Sequence, residues 1–235
     1  MDNQNNTIEL NNVPVHTLYS HPLAKAFLNK VYAWMAVSLL ITAGIAGYTA
    51  SNEECLIWAA NNSLWLCLAT LGIVLVMSFC VKLLTSGALA VLLLLYSGIT
   101  GLLFGPLFII YTSESLALTF GCTAGTFGIM SLYGAVTKSD LSPWGRALFM
   151  GLIGLIVALI VNYFWGNGTF DLIISIAGVL IFSLLTAYDT QKLLREGLCA
   201  QGEARSKGAV LGALMLYLDF INLFLYLLRF LGDRK

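Results

Sequence analysis

An apolar stretch near the end of the chain is interrupted by one acid, one amide and one base, namely Asp219, Asn222 and Arg229. Within residues 216–230, Asp219 and Asn222 stand three positions apart among large aliphatic and aromatic side chains. Residues three apart on a helix share one face. An aspartate at the centre of a membrane helix costs about 2.5–3.5 kcal/mol on insertion scales and needs a partner or a wet cavity. So few polar residues disfavour an amphipathic surface helix here.

Asp189 is the candidate partner of Asp219. On its own it is most simply an acid near the inner end of a helix, followed by Lys192 and Arg195. Counting from Gly208 places Asp219 roughly 16 Å deep at 1.5 Å per residue. The two acids come within contact range if the last helix starts a little later or the preceding helix tilts. Two close carboxylates at low dielectric cannot both stay ionised cheaply, so they titrate as a pair.

Such a pair can hold a proton at lower pH and exchange it for a cation at higher pH. Hard oxygen ligands suit Ca²⁺, which takes about six to eight of them. Asp189, Asp219 and Asn222, with freed backbone carbonyls, supply only part of this shell, so water must complete it. We therefore expect a weak calcium site on a permeation path, with calcium as the permeant ion and no cofactor.

The residues that haem binding and membrane proteolysis require are absent from the apolar segments. The apolar segments contain no histidine, which argues against histidine-ligated haem, a HExxH zinc protease and a Ser-His protease. An intramembrane aspartyl protease would match at Tyr188-Asp189. Its second motif, Gly-x-Gly-Asp, is absent, because Leu-Tyr-Leu at residues 216–218 precedes Asp219. We expect that the protein is not an enzyme.

The composition places these residues in a membrane. Of the 235 residues, 59% are hydrophobic and 10% are charged, and the mean hydropathy is +0.86. A soluble domain carries about 25% charged residues. Twelve basic and twelve acidic residues balance, which gives no indication of a nucleic-acid partner. The five cysteines are odd in number and contain no CxxC pair, so no disulfide or metal framework is predicted.

The start of the chain differs from the rest. It is polar and rich in asparagine, and it contains both histidines, His16 and His21. We expect residues 1–25 to form a disordered cytosolic tail without a cleavable signal peptide, and the histidines to be incidental. Residues 26–235 are expected to form a transmembrane domain.

Seven apolar segments are long enough to span a bilayer, which takes about 20 residues. They run from about 28–50, 64–84, 87–111, 115–136, 145–165, 170–194 and 208–231. Pro106 predicts a kink or break in the third segment. Pairs of glycines four residues apart, Gly101/Gly105 and Gly121/Gly125, predict close helix packing in the third and fourth.

Lysine and arginine alternate between the loops. The loops after the first, third and fifth segments contain neither residue, whereas the loops after the second, fourth and sixth contain at least one. This is the positive-inside pattern with a cytoplasmic N-terminus. The tail after the last segment, Asp233-Arg234-Lys235, is the exception. The last helix therefore either spans fully or is re-entrant around Asp219, and we favour seven full spans.

Five short segments resemble one membrane family. They are Leu-Tyr-Ser-Gly-Ile-Thr-Gly at 95–101, Ser-Leu-Tyr-Gly at 131–134, Lys-Ser-Asp-Leu-Ser at 138–142, Thr-Ala-Tyr-Asp-Thr-Gln-Lys at 186–192 and Leu-Tyr-Leu-Asp-Phe-Ile-Asn-Leu-Phe at 216–224. The chain resembles the Bax inhibitor-1 family, also called the transmembrane Bax inhibitor motif family, and most closely its bacterial inner-membrane branch. The resemblance covers about residues 26–232.

This resemblance implies an all-α membrane protein of seven helices, with the last helix in the middle of the bundle. It also implies that Asp189 and Asp219 form a paired-aspartate sensor whose protonation governs a calcium leak. In relatives an arginine on the second helix latches one aspartate. Here Lys82 is the candidate latch, about two positions from where that arginine would fall, and lysine lacks the bidentate fork of arginine.

Two functions are compatible with these features. The first is a pH-sensitive, calcium-permeable leak channel of a bacterial inner membrane. The second is a non-conducting regulatory membrane protein that binds a membrane AAA protease or other membrane partners. In that case Asp189 and Asp219 have a structural role only. Both place the chain in the lipid bilayer.

Overall fold

The fold is built from α-helices that follow one another with short connections. A computed structural model of the protein describes residues 20–166, 168–233 and 235. The helices are α1 (Pro22–Ser51), α2 (Glu53–Asn61), α3 (Ser63–Phe79), α4 (Ser86–Phe104), α5 (Leu107–Ile110), α6 (Ser113–Val136), α7 (Ser142–Trp165), α8 (Gly168–Cys199) and α9 (Gly202–Leu231). The predicted all-α class is confirmed. Residues 1–19 of the predicted tail lie outside the described residues, and α1 begins within the remainder of that tail.

Six of these helices are long and apolar enough to cross a membrane. The pair α2 and α3 supplies a seventh crossing if it is counted as one span, and it is bent by 72°. Asn52 makes α2 a separate helix, because its side-chain oxygen accepts a hydrogen bond from the backbone N–H of Cys55 at 3.0 Å. The predicted second segment therefore has an additional short helix before it.

The predicted end of the second segment is wrong. That helix, α3, ends at Phe79, and residues 80–84 form a turn in which the N–H groups of Leu83 and Leu84 donate to the carbonyl of Cys80. Thr85 then caps α4 by accepting a hydrogen bond from Ala88 at 3.2 Å. A cap of this kind starts a new helix at Ser86, one residue before the predicted start of the third segment.

The break predicted at Pro106 is confirmed. The helix α4 ends at Phe104, and the short α5 resumes at Leu107 after Gly105 and Pro106. Proline lacks the N–H that would continue the hydrogen-bond ladder. The two pieces still form one candidate span of 25 residues, Ser86–Ile110.

The chain forms two compact units. The first contains the described residues of 20–28, 114–199 and 218–232, and the second contains residues 29–113 and 200–217 with Asp233 and Lys235. The last helix, α9, contributes its first half to the second unit and its second half to the first. Both aspartates singled out above belong to the first unit.

The glycine pairs behave differently from each other. In the second unit, an added Cβ at Gly101 or Gly105 of α4 would overlap Thr42, Ile45 or Thr49 of α1. These glycines therefore let α1 and α4 approach closely, as predicted. A Cβ at Gly121 or Gly125 of α6 would meet nothing within 4 Å, so the predicted packing role of that pair is wrong.

Contacts at both ends of α9 join it to the segment 81–110. Near its start, the Lys207 ammonium donates to the carbonyl of Val81, just before α4 (3.5 Å). Beyond its end, the N–H of Lys235 donates to the carbonyl of Ile110, where α5 ends (2.9 Å). The helix runs without a break from Gly202 to Leu231 and is one candidate span. An unbroken helix favours the full span over the re-entrant alternative, and the side of the membrane on which the C-terminus lies stays a prediction.

The last helix is also the most buried of the candidate spans. In its most apolar 18-residue window, 72% of the residues are buried, against 11–33% for the other five. A helix with little exposed surface is surrounded by protein on most sides. This agrees with the predicted position of the last helix inside the bundle.

Candidate functional site

The carboxyl groups of Asp189 on α8 and Asp219 on α9 lie close enough to interact directly. The two residues are 7% and 5% exposed. Two carboxylates this close in a buried site repel each other, which favours a single proton shared between them. The juxtaposition that the sequence predicted is therefore present. The last helix starts at Gly202, earlier than the predicted Gly208, and not later as the depth argument had supposed.

One oxygen of the pair is left without a partner. Oδ2 of Asp219 is buried and accepts no hydrogen bond from any described residue. An unsatisfied buried acceptor costs about 1–3 kcal/mol, and more when it is charged. A proton or a cation that approaches this oxygen therefore removes part of that cost.

Close contact with α6 fixes the segment of α8 that carries Asp189. At Gly134 of α6 an added Cβ would overlap the carbonyl group of Ala187. A few residues away, the hydroxyls of Ser131 and Thr190 hydrogen bond at 3.0 Å, both of them buried. The neighbours of Asp189 on either side are thus held against a second helix.

The loop between α6 and α7 is clamped to the same segment by Gln191. Its side-chain oxygen accepts from the N–H of Leu141 at 2.8 Å, and its side-chain nitrogen donates to the carbonyl of Ser139 at 3.0 Å. Gln191 is only 3% exposed, so both polar ends of a buried amide are satisfied by the loop backbone. Sequence reasoning missed this clamp, although a glutamine two residues after an expected functional acid was a signal.

An ion pair at the surface also joins the loop between α6 and α7 to α8. The guanidinium of Arg195 donates to Asp140 and to the hydroxyl of Ser142, each at 2.8 Å. The backbone N–H of Ser142 also donates to Asp140, at 2.9 Å. These groups, chiefly the backbone N–H at the start of α7 and then Arg195, hold the pKa of Asp140 below its ordinary value.

The other predicted site residues form no described hydrogen bond or ion pair with the acid pair. The amide nitrogen of Asn222 donates to the carbonyl of Leu218 on its own helix at 2.8 Å, and no described hydrogen bond joins it to either aspartate. Lys82 is exposed in the turn after α3, in the second unit, and forms no ion pair within the described part of the chain. A latch at Lys82 stays a prediction.

Charged groups near the pair are few. Lys192 lies one turn after Asp189 and forms a half-exposed ion pair with Glu196 at 4.0 Å. Across the residues that the structure describes, no three His, Cys, Asp or Glu side chains cluster as they would around a tightly held metal. The two aspartates alone supply too few oxygens for a high-affinity calcium site.

A cluster of four phenylalanines packs beside the acid pair on α9. Phe220, next to Asp219, contacts Phe120 and Phe127 of α6 edge-to-face, with ring centroids 5.5 Å apart in both cases. One turn further on, Phe224 contacts Phe120 at 6.5 Å. Phe127, Phe220 and Phe224 are buried in this cluster, whereas Phe120 is 47% exposed. Sequence reasoning passed over these residues because aromatic side chains are ordinary in an apolar segment.

The far end of α9 is held to α8 by an aromatic stack and an ion pair. Tyr226 stacks on Phe182, with centroids 5.7 Å apart and an interplanar angle of 22°. One turn later, Arg229 contacts Asp171 at 3.2 Å, and the same carboxylate oxygen accepts from Asn162 of α7 at 3.1 Å. Three helices therefore meet in one polar cluster at this end.

Comparison with known proteins identifies the family. The family model described as "Inhibitor of apoptosis-promoting Bax1" matches residues 24–235. The chain is 44% identical over 219 residues to the inner membrane protein YbhL of Escherichia coli, covering 90% of this chain and 93% of YbhL. Uncharacterised proteins of Borreliella burgdorferi and Deinococcus radiodurans are 44% and 42% identical, over 89% of this chain and 92% and 91% of theirs.

These matches extend over almost the whole described chain, including both helices that carry the acid pair. They agree with the segments singled out from the sequence. The protein is a multi-pass, all-α membrane protein that belongs to the Bax inhibitor-1 family.

Proposed function

We propose that this protein is a pH-sensitive, calcium-permeable leak channel in which Asp189 and Asp219 act as the proton sensor. The observation that supports this most strongly is the close approach of two buried carboxyl groups inside an apolar bundle. Ionisable residues at membrane depth are rare and costly, and they typically mark ion or proton pathways. Two buried acids side by side are poorly explained by stability alone.

The proposed mechanism is a competition between a proton and a cation. At lower pH the pair shares a proton, and the hydrogen bond ties α8 to α9. At higher pH the proton leaves, and two negative charges in a low-dielectric site attract a divalent cation. Oδ2 of Asp219, which has no described partner, and the side-chain carbonyl of Asn222 are the oxygens best placed to contribute, with water completing the shell.

The phenylalanine cluster closes the pathway in this proposal. An apolar constriction blocks ions because water leaves it and the ion cannot carry its hydration shell through. In this proposal Phe127 and Phe220, whose ring centroids lie 5.5 Å apart, form the core of such a constriction next to Asp219, and the half-exposed Phe120 lies at its edge. Loss of the hydrogen bond between the aspartates would release α9 to move these rings.

We also propose in which membrane the protein lies and what it transports. A relative with 44% identity is named as an inner membrane protein, so we place this protein in a bacterial inner membrane, with its N-terminus in the cytoplasm from the distribution of lysine and arginine. The protein conducts an ion and catalyses no reaction, and calcium is its cargo.

Purified protein in liposomes that contain a calcium-sensitive dye tests the proposal. We expect calcium entry to increase as the pH rises from about 6 to about 8, because protons compete with calcium for the pair. Calcium entry that does not exceed that of protein-free liposomes at any pH would overturn it. In that case the alternative is a non-conducting regulator, and co-purification of a membrane protease or another membrane partner would be its signature.

A further inference from the structure

A cavity of about 310 Å³ opens between α6, α7 and α8. Its walls include Tyr133 of α6, Trp144 and Leu148 of α7, and Leu184 and Tyr188 of α8. Volumes of this size are at the lower end of the range for ligand pockets, about 300–1,000 Å³. The cavity lies where α6 ends at Val136 and α7 begins at Ser142, and therefore at the membrane–water boundary.

The walls change from apolar to polar along the cavity. Leu148 and Leu184 are aliphatic and lie deeper in their helices, whereas Tyr133, Trp144 and Tyr188 carry hydrogen-bond donors. No described residue hydrogen bonds to the two phenol groups or to the indole N–H. Tyrosine and tryptophan concentrate at this depth because one end of each is apolar and the other is wet.

The shape of the cavity is built into the backbone. The ring of Tyr188 lies against Gly145, where an added Cβ would overlap the ring and its hydroxyl. The loop that forms the cavity's edge is held by both polar ends of Gln191. A fixed loop and a glycine that accommodates a ring indicate a preformed pocket more than a gap between loosely packed helices.

The mouth of the cavity carries excess positive charge. On α8, Lys192 and Arg195 follow Tyr188 at i+4 and i+7 and so share its face. The charged residues in the loop and in the adjacent helix turns are Lys138, Arg146, Lys192 and Arg195, against Asp140, Asp189 and Glu196. Four positive and three negative charges leave a net charge of +1. Lys138 and Arg146 form no described ion pair, whereas Lys192 pairs with Glu196 and Arg195 with Asp140. An anionic group is therefore the complementary occupant.

We propose that this cavity binds one anionic phospholipid from the surrounding bilayer. Its acyl chain lies against Leu148 and Leu184, its glycerol ester oxygens accept hydrogen bonds from the tyrosine and tryptophan donors, and its phosphate faces Lys192. Basic pockets between membrane helices bind anionic headgroups in this way. The occupant is a lipid and not a free anion, because the apolar part of the cavity needs a chain to fill it.

Native mass spectrometry of the purified protein tests this, with phosphatidylglycerol or phosphatidylethanolamine added. Wild type retains one phosphatidylglycerol in preference to phosphatidylethanolamine. Leu184→Trp fills the cavity and abolishes that retention, whereas Ile160→Trp, the same type of change at an exposed position distant on α7, does not. Lys192→Gln lowers the preference about fivefold, since each basic residue near an anionic surface contributes about 1 kcal/mol.

A second variant covers the case in which Leu184→Trp fails to fold. Tyr188→Phe keeps the ring and removes one donor, so it weakens retention of either lipid without changing the headgroup preference. Equal retention of phosphatidylglycerol by wild type, Leu184→Trp and Ile160→Trp would overturn the proposal. Retention without preference for the anionic headgroup would overturn it as well, because it would show annular lipid only.

Discussion

Gly134 of α6 packs directly on the carbonyl group of Ala187 of α8, two residues before the sensor acid Asp189. No residue larger than glycine fits at position 134, since even a single Cβ would overlap the carbonyl. Small residues at helix contacts in membranes let the backbones approach and gain van der Waals energy. The position of Asp189 therefore depends on a glycine in a different helix.

Gly134→Ala should destabilise the protein by about 1–3 kcal/mol, the usual cost of overpacking a tight contact. The measurement is the thermal unfolding midpoint in detergent. Gly125→Ala is the matched control on the same helix, where a Cβ meets nothing within 4 Å. The control should be neutral or stabilising by up to about 1 kcal/mol, because alanine is the better helix former. Equal effects of the two substitutions would contradict the packing argument.

Phe220→Ala should raise calcium entry at every pH, since it removes two edge-to-face contacts and opens the apolar constriction. The measurement is the liposome assay described above. Phe149→Ala removes a phenylalanine that is 61% exposed on α7 and should leave calcium entry unchanged. If the wild type conducts and Phe220→Ala conducts no faster, the constriction lies elsewhere while the sensor proposal stands.

The sequence predicted the acid pair but not what positions it. Asp189 and Asp219 were identifiable because charge is expensive in a membrane, and that rule needs no coordinates. Gly134 and the phenylalanine cluster were not, because many glycines and aromatics occur in the spans and only the register between helices selects the ones in contact. The glycine pair Gly121/Gly125 failed as a prediction for the same reason, since spacing does not tell which face meets a neighbour.

Helix ends were predictable only where a residue blocks the backbone. Pro106 correctly marked the break after α4, because it removes a hydrogen-bond donor. The end of α3 at Phe79 was missed, since the apolar run continues through residues 80–84 while the chain turns. Hydropathy reports burial in lipid and does not distinguish a helix from a turn at its end.

Asp140→Asn should lower stability at neutral pH and have no effect in acid. The folded-state pKa of Asp140 is lowered, so the charged form contributes stability above the unfolded pKa of about 3.9, and this contribution is lost as the pH falls through the folded pKa. The carboxylate is half exposed, which limits the loss to about 1 kcal/mol. Unfolding midpoints of both proteins should differ above about pH 5 and converge as the pH falls below the lowered folded-state pKa. A difference that persists in acid would mean that the side chain acts through its shape.

Arg229 and Asp171 should show energetic coupling, because they join α9 to α8 at 3.2 Å and are about one-third exposed. A double-mutant cycle with Arg229→Gln and Asp171→Asn should give about 0.5–1 kcal/mol from unfolding midpoints. The cycle is needed because Asp171→Asn alone also disturbs the bond from Asn162. Additive single effects would show that the ion pair contributes nothing measurable.

The most direct test of the sensor is calcium entry into liposomes by Asp219→Asn, measured at about pH 6 and about pH 8. An asparagine has nearly the shape of the acid but cannot release a proton or gain a charge. Asp140→Asn makes the same chemical change at the protein surface and serves as the control. Calcium entry by the wild type and by Asp140→Asn should rise with pH, whereas entry by Asp219→Asn should be low and independent of pH. Calcium entry by Asp219→Asn that rises with pH as in the wild type would contradict it.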